Sequence, residues 1–340
     1  MLRAADRLNQ FQESLIREMT RHAHEANAIN LSQGYPDFDP PSTVVEAAVE
    51  AMRGGENQYT VTWGYPPLRR ILAERYGPRL GWDVDPDVHV TVTCGVTEGI
   101  VVAQMAVLNP GEEILIIEPA HENFAPAAIM INAVPRAVPL TGPDYRLDYD
   151  LLARYVSSKT RAILLNTPHN PTGRVFDADE IAAIARLVIE HDLVLITDEI
   201  YEHILYDGRV HVAPGSLPAL RDRTITVTGM SKTFAMTGWR LGVVIAPDAL
   251  ASAVRRCHDY LTICAATPLQ AAALAAYALP TDYFAQLAVD YAERRDTLMG
   301  YLAEAGFAAS TPEGAYYTIA EYAVLVRPRP SWTLWTLRCG

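Results

Sequence analysis

The chain has 340 residues, half of them hydrophobic, with a formal net charge of -12 and a sequence pI near 5.2. This length predicts a large buried core arranged as two domains, or as one large domain with a smaller companion. The negative charge and the lack of Lys/Arg runs argue against nucleic acid or an anionic membrane as the partner. A small-molecule substrate fits this composition better.

The four cysteines are scattered along the chain without the Cys-x-x-Cys spacing of a zinc or redox site. They indicate neither a disulfide framework nor a metal centre, and we expect a reducing, cytoplasmic location. Residues 1–24 are charged and predict an amphipathic helix rather than a signal sequence. No apolar run reaches the length of a membrane span.

The first part of the chain predicts turns, a helix and an unusual loop. Residues 29–38 are interrupted by Gly34, which permits close approach of the backbone to a ligand or a plain turn. Residues 41–53 have apolar positions at a helical spacing. The loop 57–66 is rich in aromatic residues, including Tyr59 and Trp63, which predicts contact with a ligand or with a partner subunit.

From residue 88 onward, short β-branched runs alternate with helical stretches. Strands apolar on both faces and separated by helices are typical of a parallel sheet covered on both sides. We therefore predict an α/β fold. Predicted strands cover 88–93, 113–117, 160–165, 193–197, 224–228 and 241–245, and predicted helices start near Thr97 and cover 177–190, 265–276 and 283–305.

Several predicted strands end on residues that carry chemistry, which is where α/β sheets bind their ligands. Cys94-Gly-Val-Thr97 turns from strand into helix, so its backbone amides and the helix dipole could hold a phosphate. Prolines and a glycine in residues 166–173 fix Asn170 in a rigid turn. Asp198 and Tyr201 follow another strand, although an Asp in this position is also a common helix N-cap.

The stretch from Thr226 to Gly242 places Lys232 among small and hydroxylic residues, with Arg240 eight positions later. A lysine held off the solvated surface beside another cation has the lowered pKa that Schiff-base chemistry requires. Taken alone, this segment is equally compatible with an ordinary surface lysine in a loop.

Three motifs in this order resemble fold type I pyridoxal-phosphate enzymes, specifically the class I/II aminotransferases. They are Asn-Thr-Pro-His-Asn-Pro-Thr-Gly at 166–173, Asp-Glu-Ile-Tyr at 198–201, and the Ser-Lys-Thr and Gly-Trp-Arg segments around Lys232. Residues 30–38, 57–59, 92–95, 256–259 and 312–317 resemble the branch that contains kynurenine, glutamine and methionine aminotransferases. The resemblance covers roughly residues 29 to 321.

The resemblance implies a mostly parallel sheet sandwiched by helices, together with a smaller α/β domain. The expected division is an N-terminal arm at 1–35 that belongs to the small domain, a large cofactor-binding domain at 36–275, and a shortened small C-terminal domain at 276–340. The resemblance also implies a homodimer that transfers an amino group from an L-amino acid to a 2-oxo acid by a ping-pong mechanism.

The resemblance further implies roles for individual residues toward pyridoxal phosphate. Lys232 would form the Schiff base and then shuttle the proton at the substrate's Cα. Asp198 would pair with the pyridinium nitrogen, while Asn170 and Tyr201 would bind the 3-oxygen of the ring. The other implied residues are Gly95, Val96, Thr97, Ser231 and Arg240 at the phosphate, Tyr59 reaching it from the other subunit, His121 stacked on the ring, and Gly34 with Asn170 at the substrate.

Two departures from the family pattern lie at the cofactor. His121 stands where the family usually has Tyr, Phe or Trp, and an imidazole still stacks but can titrate near neutral pH. Gly229 stands in place of a phosphate-binding serine, and Thr228 is the candidate to substitute for it.

A third departure is at the C-terminus, where the family has an arginine that binds the substrate α-carboxylate through two hydrogen bonds. Arg327, Arg329 and Arg338 are the late arginines, and their surroundings do not match that motif. Rerouted carbanion chemistry, such as elimination, cyclisation or oxidation, and a cofactor-binding pseudoenzyme therefore remain as alternatives. Loops around Tyr35 and Trp63 are expected to select the substrate side chain, with aromatics that favour a large or apolar one.

Overall fold

The protein is described here from a computed structural model, which covers residues 3–321. Its centre is a seven-stranded sheet in the order β1-β7-β6-β5-β4-β2-β3, and a two-stranded sheet pairs β8 with β9. The strands are β1 Val90–Thr93, β2 Glu113–Glu118, β3 Val134–Pro139, β4 Thr160–Asn166, β5 Val194–Asp198, β6 Thr224–Gly229, β7 Gly242–Ile245, β8 Ala308–Ala309 and β9 Ala320–Glu321.

Ten α-helices surround these sheets within the described residues. They are α1 Leu15–Glu25, α2 Ser42–Arg53, α3 Pro66–Leu80, α4 Gly95–Val107, α5 Phe124–Met130, α6 Tyr149–Tyr155, α7 Ala178–Glu190, α8 Asp248–Leu261, α9 Thr267–Tyr277 and α10 Thr281–Glu304. In this part of the chain, no helix is long and apolar enough to cross a bilayer.

The predicted α/β architecture is confirmed, with one reversal. Strand β7 is antiparallel to both of its neighbours, and the other pairs of adjacent strands are parallel. Because β7 returns directly from β6, the loop between them lies at the same edge as the carboxyl ends of β4, β5 and β6. That edge therefore collects the three sequence motifs.

The apolar residues on the two faces of the sheet belong to two separate cores. Ile116, Leu164 and Ile196 pack with helices α4 and α8 on one side. Leu115 and Leu165 pack with α6 and α7 on the other. Because successive side chains of each strand pack into opposite cores, these strands appear in the sequence as continuous apolar runs.

Three parts of the predicted secondary structure were wrong or incomplete. The N-terminal helix expected over 1–24 is a short 3-10 turn at Asp6–Gln10 followed by α1, which begins after Ser14, whose side chain accepts a hydrogen bond from the backbone N–H of Arg17. Strand β3 was missed because its sequence, Val-Pro-Arg-Ala-Val-Pro, places two prolines on a partly exposed edge strand. Helices α3, α5, α6 and α8 were also not predicted.

The close contact between α4 and the sheet gives a stability prediction. A Cβ added at Gly99 of α4 would lie 2.7 Å from Cγ1 of Val227 in β6. Since this valine is short and branched, Gly99→Ala forces the helix away from the sheet, and we expect a loss of about 1 kcal/mol or more in the free energy of unfolding. Denaturant unfolding of the purified variant measures it.

Gly300→Ala in α10 is the matched control. No heavy atom lies within 4 Å of its added Cβ, so the helix propensity of alanine should stabilise the protein by roughly 0.5–1 kcal/mol. Equal stabilisation by both substitutions would contradict the packing of α4 described here.

Candidate active site

A cavity of about 430 Å³ opens at the edge of the sheet where the motifs meet. Its wall combines the ends of β4 and β5, the loop between β6 and β7, the N-terminus of α4 and the N-terminal arm. The predicted site residues that line it are Gly34, Val96, Thr97, His121, Asn170, Asp198, Tyr201, Ser231, Lys232 and Arg240.

Lys232 projects into this cavity from the loop between β6 and β7. Its Nζ donates a hydrogen bond to the carbonyl oxygen of Gly34 at 3.1 Å and lies 5.4 Å from the ring centre of Tyr316. Burial lowers the pKa of Lys232 to about 8, with a further lowering by Arg240 that Asp198 opposes. The amine is therefore partly neutral near physiological pH, as a nucleophile requires.

Asp198 ends strand β5 and is 4% exposed. Its carboxylate accepts one backbone hydrogen bond, from the N–H of Ile200 at 3.2 Å. Burial raises the pKa of Asp198 to about 7, an effect that the nearby Lys232 opposes. A cation placed beside this carboxylate would lower its pKa again, so the site favours a positively charged group.

Asn170 and Tyr201 lie side by side next to Asp198. The Nδ2 of Asn170 is 3.5 Å from the Tyr201 hydroxyl, which in turn donates to the Tyr317 hydroxyl at 3.1 Å. Asn166, at the end of β4, accepts from the backbone N–H of Asn170 at 2.6 Å and donates to the carbonyl of Asp198 at 2.9 Å. Asn166 thus fixes the two motifs against each other.

The N-terminus of α4 forms the end of the cavity that carries an arginine and free helix N–H groups. Val96 and Thr97 occupy the first turn, and Arg240 reaches the Thr97 hydroxyl at 3.5 Å. Gly95 has φ +80° and lies behind the cavity wall, where an added Cβ would come within 2.8 Å of the Arg240 Cζ. Ser231 is buried in the same wall.

Thr228 does not substitute for the serine that the family has at position 229. Its buried hydroxyl points away from the cavity, 3.2 Å from the Glu202 carboxylate and 3.5 Å from the Glu199 carbonyl. At Gly229 itself, a Cβ would lie 2.8 Å from the Leu241 carbonyl oxygen. The local backbone therefore leaves room for glycine only, unless β7 shifts.

His121 lines the cavity opposite the strand ends, as its position in the sequence predicts. Its ring meets the ring of Phe124 edge-on, with centroids 5.6 Å apart. Burial lowers the pKa of His121, and the charge of Lys232 lowers it further, while Glu122 opposes the shift. The imidazole is therefore held neutral and able to stack on a flat ligand.

Some predicted residues are not brought to the cavity. Tyr59 is 77% exposed and does not line the cavity of its own chain. Trp63 was expected to help select the substrate, but it packs under the Arg255 guanidinium at 4.3 Å, away from the wall. Tyr35 does line the cavity. The late arginines Arg327, Arg329 and Arg338 lie outside the described residues.

Further wall residues come from the N-terminal arm and from the segment before β9. Ser14, Arg17 and Gln33 line the cavity; no motif indicates Ser14 or Arg17, while Gln33 lies within the segment 30–38 that resembles the family. Tyr316 and Tyr317 both donate to the Gly34 carbonyl, at 3.3 and 3.4 Å. The paired aromatics after Gly314 were a signal that could have identified them.

These features fit pyridoxal phosphate. A helix N-terminus with an arginine and two hydroxyls suits a phosphate. A buried carboxylate with a single hydrogen-bond donor suits a ring nitrogen that carries a proton. A partly neutral lysine between them suits an aldehyde, and the cavity is large enough for a ligand of this size.

Comparison with known proteins agrees with this geometry. The family model described as Aminotransferase class I and II matches residues 26–327. The probable N-succinyldiaminopimelate aminotransferase DapC of Mycobacterium tuberculosis is 38% identical over 326 residues, which cover 95% of this chain and 81% of the relative. Human kynurenine–oxoglutarate transaminase 1 is 36% identical over 333 residues, covering 92% and 79%.

A solved structure gives the same result for the fold. N-succinyldiaminopimelate aminotransferase from Mycobacterium tuberculosis superposes with a TM-score of 0.93 at 37% identity, covering 99% of this chain and 87% of that one. The chain therefore belongs to the class I and II aminotransferases, pyridoxal-phosphate-dependent enzymes that transfer amino groups between amino acids and 2-oxo acids.

Proposed function

We propose that Lys232 is the residue that binds the cofactor covalently and moves the proton during transfer. The observation that carries the proposal is the buried amine with a pKa of about 8, placed between an anion-binding turn and a buried carboxylate. The sequence contains two lysines, Lys159 and Lys232. Lys159 is exposed beside β4 and does not line the cavity, so Lys232 is the lysine that can reach a ligand bound there.

The other residues hold the cofactor in place for this step. Bound pyridoxal phosphate supplies the carbonyl carbon that captures the amino group and a ring that withdraws electrons from the substrate's Cα. Asp198 keeps the ring nitrogen protonated, and Asn170 and Tyr201 bind the ring's 3-oxygen. Val96, Thr97, Ser231 and Arg240 bind the phosphate, with Gly95 leaving room for the arginine.

His121 stacks on the ring, and its neutral state keeps a second positive charge away from Lys232. The carbonyl of Gly34 takes the Lys232 hydrogen bond, so a lysine released from the cofactor has a fixed resting place. In this position the amine lies within the cavity, where it could act as the proton carrier. Gly34 and Asn170 then border the substrate.

A homodimer with Tyr59 reaching the phosphate of the partner's site is part of the proposal. Its support is the exposed Tyr59 ring together with exposed apolar side chains nearby, Val45, Val49, Met52 and Val61. The division into an arm at 1–35, a large domain at 36–275 and a small domain at 276–340 is proposed on the same family pattern. Scattered cysteines support a reducing location such as the cytoplasm.

Lysine replacement tests the central assignment. We expect Lys232→Ala to lose the cofactor's visible absorption after desalting and to release 2-oxo acid from amino donors at least about a hundredfold more slowly, because the proton carrier is missing. Lys159→Ala is the matched control and should behave like the unchanged protein. Loss of absorption in the Lys159 variant with retention in the Lys232 variant would overturn the assignment.

We also propose that the amino donor carries an acidic group at the far end of its side chain. Arg17, in the first turn of α1, lines the cavity, and its guanidinium makes no hydrogen bond or ion pair with the described residues. A free guanidinium at the wall suits a carboxylate. One relative is named for a succinylated diamino acid, and others are named for kynurenine and for aromatic amino acids, so the proposal rests on Arg17.

Charge removal at Arg17 tests the substrate class. We expect Arg17→Gln to raise KM for donors with a distal carboxylate by about tenfold, the cost of one charge-assisted hydrogen bond, and to leave apolar donors unchanged. Arg21→Gln is the control on the same helix, because Arg21 pairs with Glu13 at 2.6 Å and lies outside the cavity wall. An equal loss for every donor would mean that Arg17 binds the α-carboxylate instead.

A further inference from the structure

Directly behind the phosphate-binding turn lies a buried cluster of polar side chains that do not line the cavity. Glu98 belongs to the first turn of α4, and His258 and Thr262 lie at the end of α8. The backbone of Cys94, just before α4, and that of Thr62, in the loop that carries Tyr59, complete the cluster. Glu98 is 9% exposed and His258 is fully buried.

Every polar atom of the two charged side chains has a partner. One Glu98 oxygen faces the His258 Nδ1 at 2.7 Å and accepts from the Thr262 hydroxyl at 2.8 Å. The other accepts from the backbone N–H of Cys94. The His258 Nε2 lies 2.8 Å from the Thr62 carbonyl oxygen. The side chains thus join α4, α8 and the Tyr59 loop.

These contacts fix the protonation of the pair. Both His258 nitrogens face acceptors, so both must carry hydrogen and the ring is an imidazolium. Burial by itself lowers the pKa of His258, but the hydrogen bond and the charge of Glu98 outweigh it and raise the pKa above its ordinary value. Burial likewise disfavours the charged Glu98, yet His258 outweighs it and lowers the pKa of the carboxyl.

We propose that the Glu98–His258 pair positions the phosphate-binding turn and cancels a charge that would otherwise repel the phosphate, an inference that rests on the proposed phosphate site at Val96 and Thr97. Glu98 holds the peptide N–H of Cys94, the residue immediately before that turn. Its carboxylate lies at the same positive helix end that receives the phosphate. The proton on His258 neutralises it.

The pair keeps both of its charges only below the raised pKa of His258. The titratable and charged groups that face His258 are Glu98 from α4 and Asp259 from α8, and the Cys94 thiol adjoins the cluster. When the pH rises through the raised pKa of His258, the ring loses one donor and the charge of Glu98 is no longer cancelled. Affinity for a phosphorylated ligand should then fall, while affinity for the same ligand without phosphate should not.

Comparison of pyridoxal phosphate with pyridoxal tests the inference without measuring catalysis. Cofactor-free protein is titrated with each compound, and the ratio of the two dissociation constants reports the phosphate alone, because Lys232 captures both aldehydes. We expect His258→Gln, which leaves the Glu98 charge uncancelled, to weaken pyridoxal phosphate binding by about tenfold and to leave pyridoxal unchanged. Glu98→Gln removes that charge and keeps an acceptor for the Cys94 N–H, so we expect a smaller loss. In the unchanged protein, the preference for pyridoxal phosphate over pyridoxal should also become smaller at alkaline pH.

His89→Gln is the control, since the His89 Nε2 lies 2.7 Å from the exposed Asp248 carboxylate, away from the cavity. Should the two main variants fail to fold, Thr262→Val removes one hydrogen bond without a charge, and a smaller loss of the phosphate preference is expected. A preference retained in all folded variants and at alkaline pH would overturn the positioning role. No preference in the unchanged protein at neutral pH would overturn the phosphate site as well.

Discussion

The site depends on the removal of water from two ionisable groups that face one cavity, Asp198 and Lys232. Burial disfavours the charged form of each, so the pKa of the carboxyl rises and that of the amine falls toward neutrality. Their mutual attraction opposes both shifts but does not remove them. A pyridine aldehyde can use both groups. The carboxylate is stabilised by a cationic ring nitrogen beside it, and the partly neutral amine can react with the aldehyde.

The fold brings these groups together through one reversal in a parallel sheet. Asp198 ends β5, and Lys232 follows β6, its neighbour. Because β7 returns antiparallel from β6, the connecting loop stays at the carboxyl edge instead of crossing over as a helix. Arg240, with φ +56°, closes that loop and points toward the turn at Gly95. The lysine and the residues proposed to bind the phosphate therefore lie close together at this edge of the sheet.

Residues at strand ends were predictable from the sequence, because strand patterns fix the end at which a side chain emerges. This holds for Asp198, Asn170 and the turn at Val96, all of which the structure brings to one cavity. Arg17 and Tyr317 were not predictable in this way, since their place depends on how the arm and the segment before β9 cross the sheet. Thr228 was assigned wrongly because successive side chains of a strand face opposite sides, so a hydroxyl at 228 points away from the side that a residue at 229 faces.

The pH dependence of aldehyde capture measures whether burial lowers the pKa of Lys232. Cofactor-free protein is mixed with pyridoxal across a pH series, trapped with borohydride and digested, and the modified lysine is identified by mass spectrometry. We predict modification at Lys232, with a rate that rises with pH and levels off above a midpoint at about pH 8. Modification at Lys159, or a rate that keeps rising toward the ordinary lysine pKa of 10.5, would contradict it.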